Sequence, residues 1–277
     1  MGVQMLLNAS SDVLKAQPKR NETEETYATR NGWVTKLRQK NLEPHAVMEA
    51  KIQGDKSLSE QGKREKLRTL AETQTLPGLP WIARVHSAQM KEHEGFRTRF
   101  FTLVPDIQNN EALRFMILKE IRDREYTGDR NARNARFLKA GLDDEVLVLS
   151  AALEYRGPAF IDSEVRERVL LARAQRLQPE RFEAYQQNQL LLEWIQMLRD
   201  WCASWLLELG VPPTVIDRTL ETELATSLKT GDPSFRTKME ADLRARLGEA
   251  SWPETQEQAE ARTKREQAQR GQAVVVG

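Results

Sequence analysis

Residues able to do chemistry are few in this chain, and their spacing does not assemble a reaction. Two of the three histidines, His86 and His93, stand seven apart and share a face if the segment is helical, but the carboxylates of Glu92 and Glu94 then point elsewhere. A closed metal site wants four ligands, at finger spacing or on an H-E-x-x-H helix, and neither pattern occurs. The single cysteine, Cys202, lies in an apolar run, where a thiol stays protonated and inert. There is no G-x-S-x-G elbow, no Walker loop and no G-x-G-x-x-G turn. Asp143 and Asp144 read as charges at a helix start, where the dipole favours them. The expectation is a non-enzymatic chain with no cofactor and no metal.

Arginine offers a second chemistry. Between Arg114 and Lys139 lie eight cations and four acids, a local surplus of +4. Arg122, Arg124, Arg130, Arg133 and Arg136 have the forked guanidinium that suits phosphate oxygens, so a nucleic-acid-binding helical module is the alternative function. Their spacing, however, winds the charge around the helix, and the interspersed acids are ready partners. The whole chain carries a net charge of only +1, which supplies no global field to attract nucleic acid or membrane.

The element with the strongest apolar content runs from Pro179 to Leu209 without internal glycine or proline. Proline suits a first helical turn, and Gly210 with Pro212 and Pro213 supplies the stop. Trp194, Leu198, Trp201 and Trp205 repeat at four, three and four residues and form one seam. Leu190, Leu191, Ile195, Cys202, Leu206 and Leu209 widen it beyond what base stacking needs, so the seam is expected to bury in a core or a subunit interface.

Elsewhere the sequence repeats a cap, an amphipathic run and a Gly/Pro stop, which predicts an all-α, irregular multi-helix bundle with polar, partly disordered termini. Residues 1–56 read as a polar N-terminal arm, 57–250 as a helical domain and 251–277 as a charged tail. Ser57 to Glu60 reads as a capping box opening a helix toward Gln74. Residues 81–104 read as a helix followed by an irregular segment. Helices are expected over 107–125, from Thr127-Gly128-Asp129 to about Lys139, from Asp143 through Leu153, and from Asp162 or Ser163 to Arg176. Another begins at Pro213, with Leu220, Leu224 and Leu228 on its apolar face. With no apolar span long enough for a bilayer and no disulfide, the expected location is cytoplasmic.

The stretch from Glu111 to about Trp205 resembles a loosely defined group of helical proteins encoded near capsid genes of tailed bacteriophages. The resemblance is carried by Arg122-Asp-Arg-Glu125, Asn134-Ala-Arg-Phe-Leu-Lys-Ala140, Asp143 to Ala152, Gly157-Pro-Ala-Phe-Ile161 and Pro179-Glu180 before a long helix. It implies a structural or assembly role in a virion, with other protein subunits (capsid, portal or self) as partners and no catalytic residues to transfer.

Overall fold

A computed structural model of the protein describes residues 3–19, 21–103, 111–155 and 160–222. Every regular element among them is helical. In chain order these are α1 (Val3–Lys15), α2 (Glu24–Leu37), α3 (Glu43–Gly54), α4 (Glu60–Leu70), α5 (Pro80–Phe101) and α6 (Glu111–Glu125). After them come α7 (Arg130–Leu142), α8 (Val146–Leu153), α9 (Ser163–Leu177), α10 (Pro179–Glu208) and α11 (Pro213–Leu220). A π-helical turn, Arg38–Leu42, joins α2 to α3, and a second, Ala71–Thr75, extends α4.

The caps explain most boundaries. Thr23 accepts from the Thr26 amide at 3.2 Å to start α2, and Asp129 accepts from the Ala132 amide at 2.8 Å to start α7. The long helix α10 ends at Gly210, whose φ of +81° suits the residue without a side chain. There the Val211 amide bonds the Leu206 carbonyl and the Gly210 amide bonds that of Leu207, both at 3.0 Å, which satisfies two orphan carbonyls.

The chain divides into two compact units, Met1–His86 with Glu193–Gly277 and Ser87–Leu192, with both divisions falling inside helices, α5 and α10. In the first unit, α10 is buried all round from Trp201 to Leu206, and Trp194, Ile195, Met197 and Leu198 before that stretch are buried too. A helix apolar on every side must be clad by others. Part of that cladding is the segment expected to be a polar arm. Val3, Leu6 and Val13 of α1 and Val34 and Leu37 of α2 are buried, with α1 packed on α2 and on the π-helical turn after it. Helices α1 to α3, within residues 3–19 and 21–54, therefore belong to the packed first unit, which corrects the reading of 1–56 as an arm. The first unit also has an exposed N-cap at Ser59, which accepts from the Gly62 amide at 3.1 Å; Ser57 bonds Asp55 instead.

The second unit has two small cores. Tyr126, Phe137, Leu149, Ile161 and Val169 gather in one, and Phe100, Ala174 and Tyr185 in the other. Helix α7 packs closely on α9: an added methyl at Gly141 would lie 2.2 Å from Val169 Cγ1. Two local expectations change here. Residues 80–101 form one continuous helix, and the chain leaves helical geometry only after Phe101. Asp143 and Asp144 do not start α8: Asp143 ends α7, and Asp144, at φ 54°, accepts from Arg173 Nε at 2.6 Å. A charge suited to a helix dipole is here diverted to a cation from α9. Helix α11 stops at Leu220, with Glu221 in the left-handed region; Leu224, Leu228 and the 251–277 tail lie outside the described residues. No helix among the described residues is long and apolar enough to cross a membrane.

Candidate functional site

The tryptophan seam lies inside the first unit. Trp194 is 6% exposed, and Leu198, Trp201 and Trp205 are 0% exposed. The Trp194 ring carries the Arg30 guanidinium 4.7 Å from its centroid, and Trp205 meets the His45 ring edge-on at 4.7 Å. These side chains are used in intrachain packing, so of the two expectations, core or subunit interface, the seam meets the first and Trp194, Leu198, Trp201 and Trp205 are core residues. Cys202 is fully buried among them, and burial pushes its thiol well above the usual range.

The five arginines of the alternative reading form no continuous track. Arg136 Nε and Nη2 donate to Glu125 at 3.0 and 2.8 Å, and Nη2 also reaches Glu145 at 2.5 Å. Arg124 Nε donates to the other oxygen of Glu125 at 3.0 Å. Hydrogen bonding from Arg136 and then Arg124 holds the Glu125 carboxyl below its ordinary range. Arg130 pairs with Asp162 at 3.0 Å. Arg122 and Arg133 turn to aromatic faces, 4.9 Å over Tyr155 and 4.8 Å over Phe160. Guanidinium groups so engaged must break intrachain contacts before they can hold phosphates.

The histidines also have separate surroundings. His86 Nδ1 lies 3.2 Å from Arg199 Nη1, and burial followed by that cation lowers its pKa. His93 stacks on Tyr185 with ring centroids 5.0 Å apart. Among the described residues, no three His, Cys, Asp or Glu side chains gather in a metal-holding group.

One arrangement was not evident from the sequence. His45 Nδ1 lies 2.8 Å from Thr75 Oγ1, while its Nε2 faces Glu49 Oε2 at 3.9 Å. Hydroxyl, imidazole and carboxylate in that order resemble an activated-nucleophile relay. Burial argues against catalysis: Thr75 is 4% and His45 2% exposed, so no substrate carbonyl reaches the hydroxyl. The 3.9 Å gap also exceeds a hydrogen bond. Desolvation lowers the His45 pKa to about 4, which leaves the ring neutral at pH 7. Asn41, on the first π-helical turn, donates to the Thr75 carbonyl at 3.3 Å, so the relay ties the two π-helical turns together. The spacing of His45 and Glu49, four apart on α3, was the readable signal. Thr75, thirty residues on, was not.

The second unit contains a cavity of about 860 Å³, within the range of ligand pockets. It is bordered by the end of α5, the start of α7, the end of α8 and the first turns of α9. Phe101, Leu153, Tyr155, Phe160, Ile161 and Val165 supply apolar surface. Two ion pairs, Arg97 with Glu167 and Arg130 with Asp162, contribute the charges. Asn134 fixes Asp162 twice: its amide donates to Oδ2 at 2.6 Å, and the Asp162 backbone amide donates back to Asn134 Oδ1 at 3.1 Å. Tyr155 and Phe160 lie 4.9 Å apart, with Arg122 and Arg133 over their respective rings. Of the five arginines, Arg130 lines the cavity, Arg122 and Arg133 lie over the rings of Tyr155 and Phe160, and Arg124 and Arg136 belong to a separate acid-bound group.

No family model, curated protein or solved structure matches this chain.

Proposed function

We propose that this chain is a non-enzymatic helical assembly protein that acts through contacts with other protein subunits. Its specific form is a head or virion component of a tailed phage, a reading that rests on the resemblance over Glu111 to Trp205.

The observation that supports protein contact is the exposed apolar surface near the start of α6. Leu113, Phe115 and Met116 are 41%, 63% and 67% exposed, while Leu118 on the same helix is buried and α6 packs on α8. Clustered large apolar side chains in water mark interaction surfaces far more often than scattered ones do. Covering them contributes about 25 cal/mol per Å² of apolar area. The buried tryptophan seam cannot serve this role without opening the core.

Co-expression of the full chain with products of the genes that flank its own, followed by sedimentation velocity, tests the reading. A stable complex that is lost in the Phe115→Glu/Met116→Glu variant is expected. Absence of any complex and of self-association would overturn the proposal, as would a complex indifferent to that double substitution.

A further inference from the structure

We propose that the second unit is a self-association module: Phe115 and Met116 of one copy enter the cavity of a second copy, and the reverse, in a closed twofold dimer. This inference rests on the assembly reading and names the partner as this chain itself.

The cavity suits a bulky, neutral occupant. Phe101, Tyr155 and Phe160 give it rings, and about 860 Å³ has room for a phenylalanine and a methionine. Its charges cancel. Arg97 pairs with Glu167 and Arg130 with Asp162, and the other two, Glu164 and Arg166, are of opposite sign. A charged guest of either sign would be desolvated there with no net opposite charge to receive it, so neutral side chains enter at lower cost. Phe115 and Met116, both exposed, are of that kind. Rings pair edge to face or offset, and a thioether sulfur is attracted to ring edges.

The protrusion and the cavity also stand side by side. Arg114, the residue before Phe115, is ion-paired with Glu154, and Leu153 and Tyr155, on either side of Glu154 in the chain, line the cavity. Neighbouring complementary features on one unit let each copy insert and receive about a twofold axis, and the assembly then closes at two. Two insertions together take roughly 1,000 Å² from water, the lower bound of a specific contact, whereas one takes about half of that. The flanks are compatible. Lys119 and Glu120 are exposed one turn beyond Phe115 and Met116 on α6, and Glu164 and Arg166 are exposed on α9. Lys119 facing Glu164 and Glu120 facing Arg166 are pairs of opposite sign, which fix register more than they add strength.

Sedimentation velocity of the full chain over a concentration series tests this. Wild type should sediment as a dimer in equilibrium with monomer. Phe115→Glu/Met116→Glu removes the protrusion, and Ser163→Trp fills the cavity from an exposed position in its lining. Each should weaken the dimer at least tenfold with the circular dichroism spectrum unchanged. Leu142→Glu, a charge placed on an exposed apolar residue outside both features, should leave the dimer within twofold. The decisive sample is a mixture of the two weakened variants, which together still hold one intact protrusion and one open cavity. It should associate at least threefold more tightly than either variant alone. A contact of protrusion against protrusion would instead leave Ser163→Trp dimeric and give the mixture no advantage. That outcome overturns the proposal, as do species that grow past the dimer. A wild-type monomer that still forms the Phe115- and Met116-dependent complex with a flanking gene product refutes this inference and leaves the assembly reading standing. A monomer that forms no complex refutes both.

Discussion

Arg30 lies with its guanidinium 4.7 Å from the centroid of the Trp194 ring, while its Nε donates to Glu22 at 2.6 Å. The charged ends of both partners are sealed, with side-chain exposures of 1% and 0%. Tyr27 covers the guanidinium from 4.6 Å, and the Val13 carbonyl accepts from Nη1 at 3.4 Å. A buried cation is thus neutralised by one acid and packed between two rings, tying α2 to the tryptophan helix.

Removing one partner leaves the other charged and dry. Arg30→Ala is expected to destabilise the first unit by about 3–5 kcal/mol, the usual cost of breaking a buried pair. The double variant Glu22→Gln/Arg30→Met, which removes both charges and keeps an apolar stem on Trp194, should recover most of that loss. Urea midpoints of the three chains measure it. A double variant no more stable than Arg30→Ala would mean that packing geometry, and not charge, dominates.

Acid should weaken the first unit through His45. Its folded pKa, about 4, lies below the ordinary value of 6.5 because burial disfavours the imidazolium. The unfolded chain therefore binds the proton first, and stability falls as pH drops from about 6.5 toward 4, by up to about 1.4 kcal/mol per pH unit. Glu49 acts with the opposite sign: desolvation raises its pKa above 4.5, so protonation near and just above that value favours the folded form. His45→Gln retains an amide for Thr75 and should flatten the slope between pH 6.5 and 4.5. Equal slopes in wild type and variant would remove His45 from the acid response.

Gly141→Ala ought to stabilise an ordinary helix by about 1 kcal/mol. Here the added methyl would stand 2.2 Å from Val169 Cγ1, and overpacking of that kind costs about 1–3 kcal/mol. The expected net effect is destabilisation of the second unit, relieved in Gly141→Ala/Val169→Ala. Amide hydrogen exchange in α7 and α9 reads it directly. Unchanged protection would show that the two helices separate without cost.

Binding to duplex DNA should be weak at 150 mM salt, with a shallow dependence on salt concentration, because three of the five arginines are occupied by Glu125, Glu145 and Asp162. Six or more phosphate contacts would instead lower affinity by about a thousandfold between 50 and 200 mM salt. A titration with that steepness would establish the arginines as a phosphate surface.

The bounds of α10 were written in Pro179 and Gly210, and the start of α7 in Asp129, because these residues act on their own neighbours. The cladding of α10 was hidden for a different reason. The buried positions of α2 are Thr26, Arg30, Val34 and Leu37, a helical stripe half of whose members look polar. Arg30 becomes a core residue only once Glu22 neutralises it, and that pairing is tertiary. The cavity was equally illegible, since Arg97, Arg130, Phe160 and Glu167 are drawn together from separate parts of the chain. The tryptophan spacing identified a burying face but not its partner, because apolar periodicity is the same for a core and for an interface.

The sealed thiol of Cys202 gives the molecule a built-in recorder. Nothing in solution reaches that sulfur while the first unit is shut. Thiol-directed alkylating reagents and peroxide will therefore modify Cys202 only as fast as the tryptophan-lined interior around it breathes, one event per excursion at high reagent concentration.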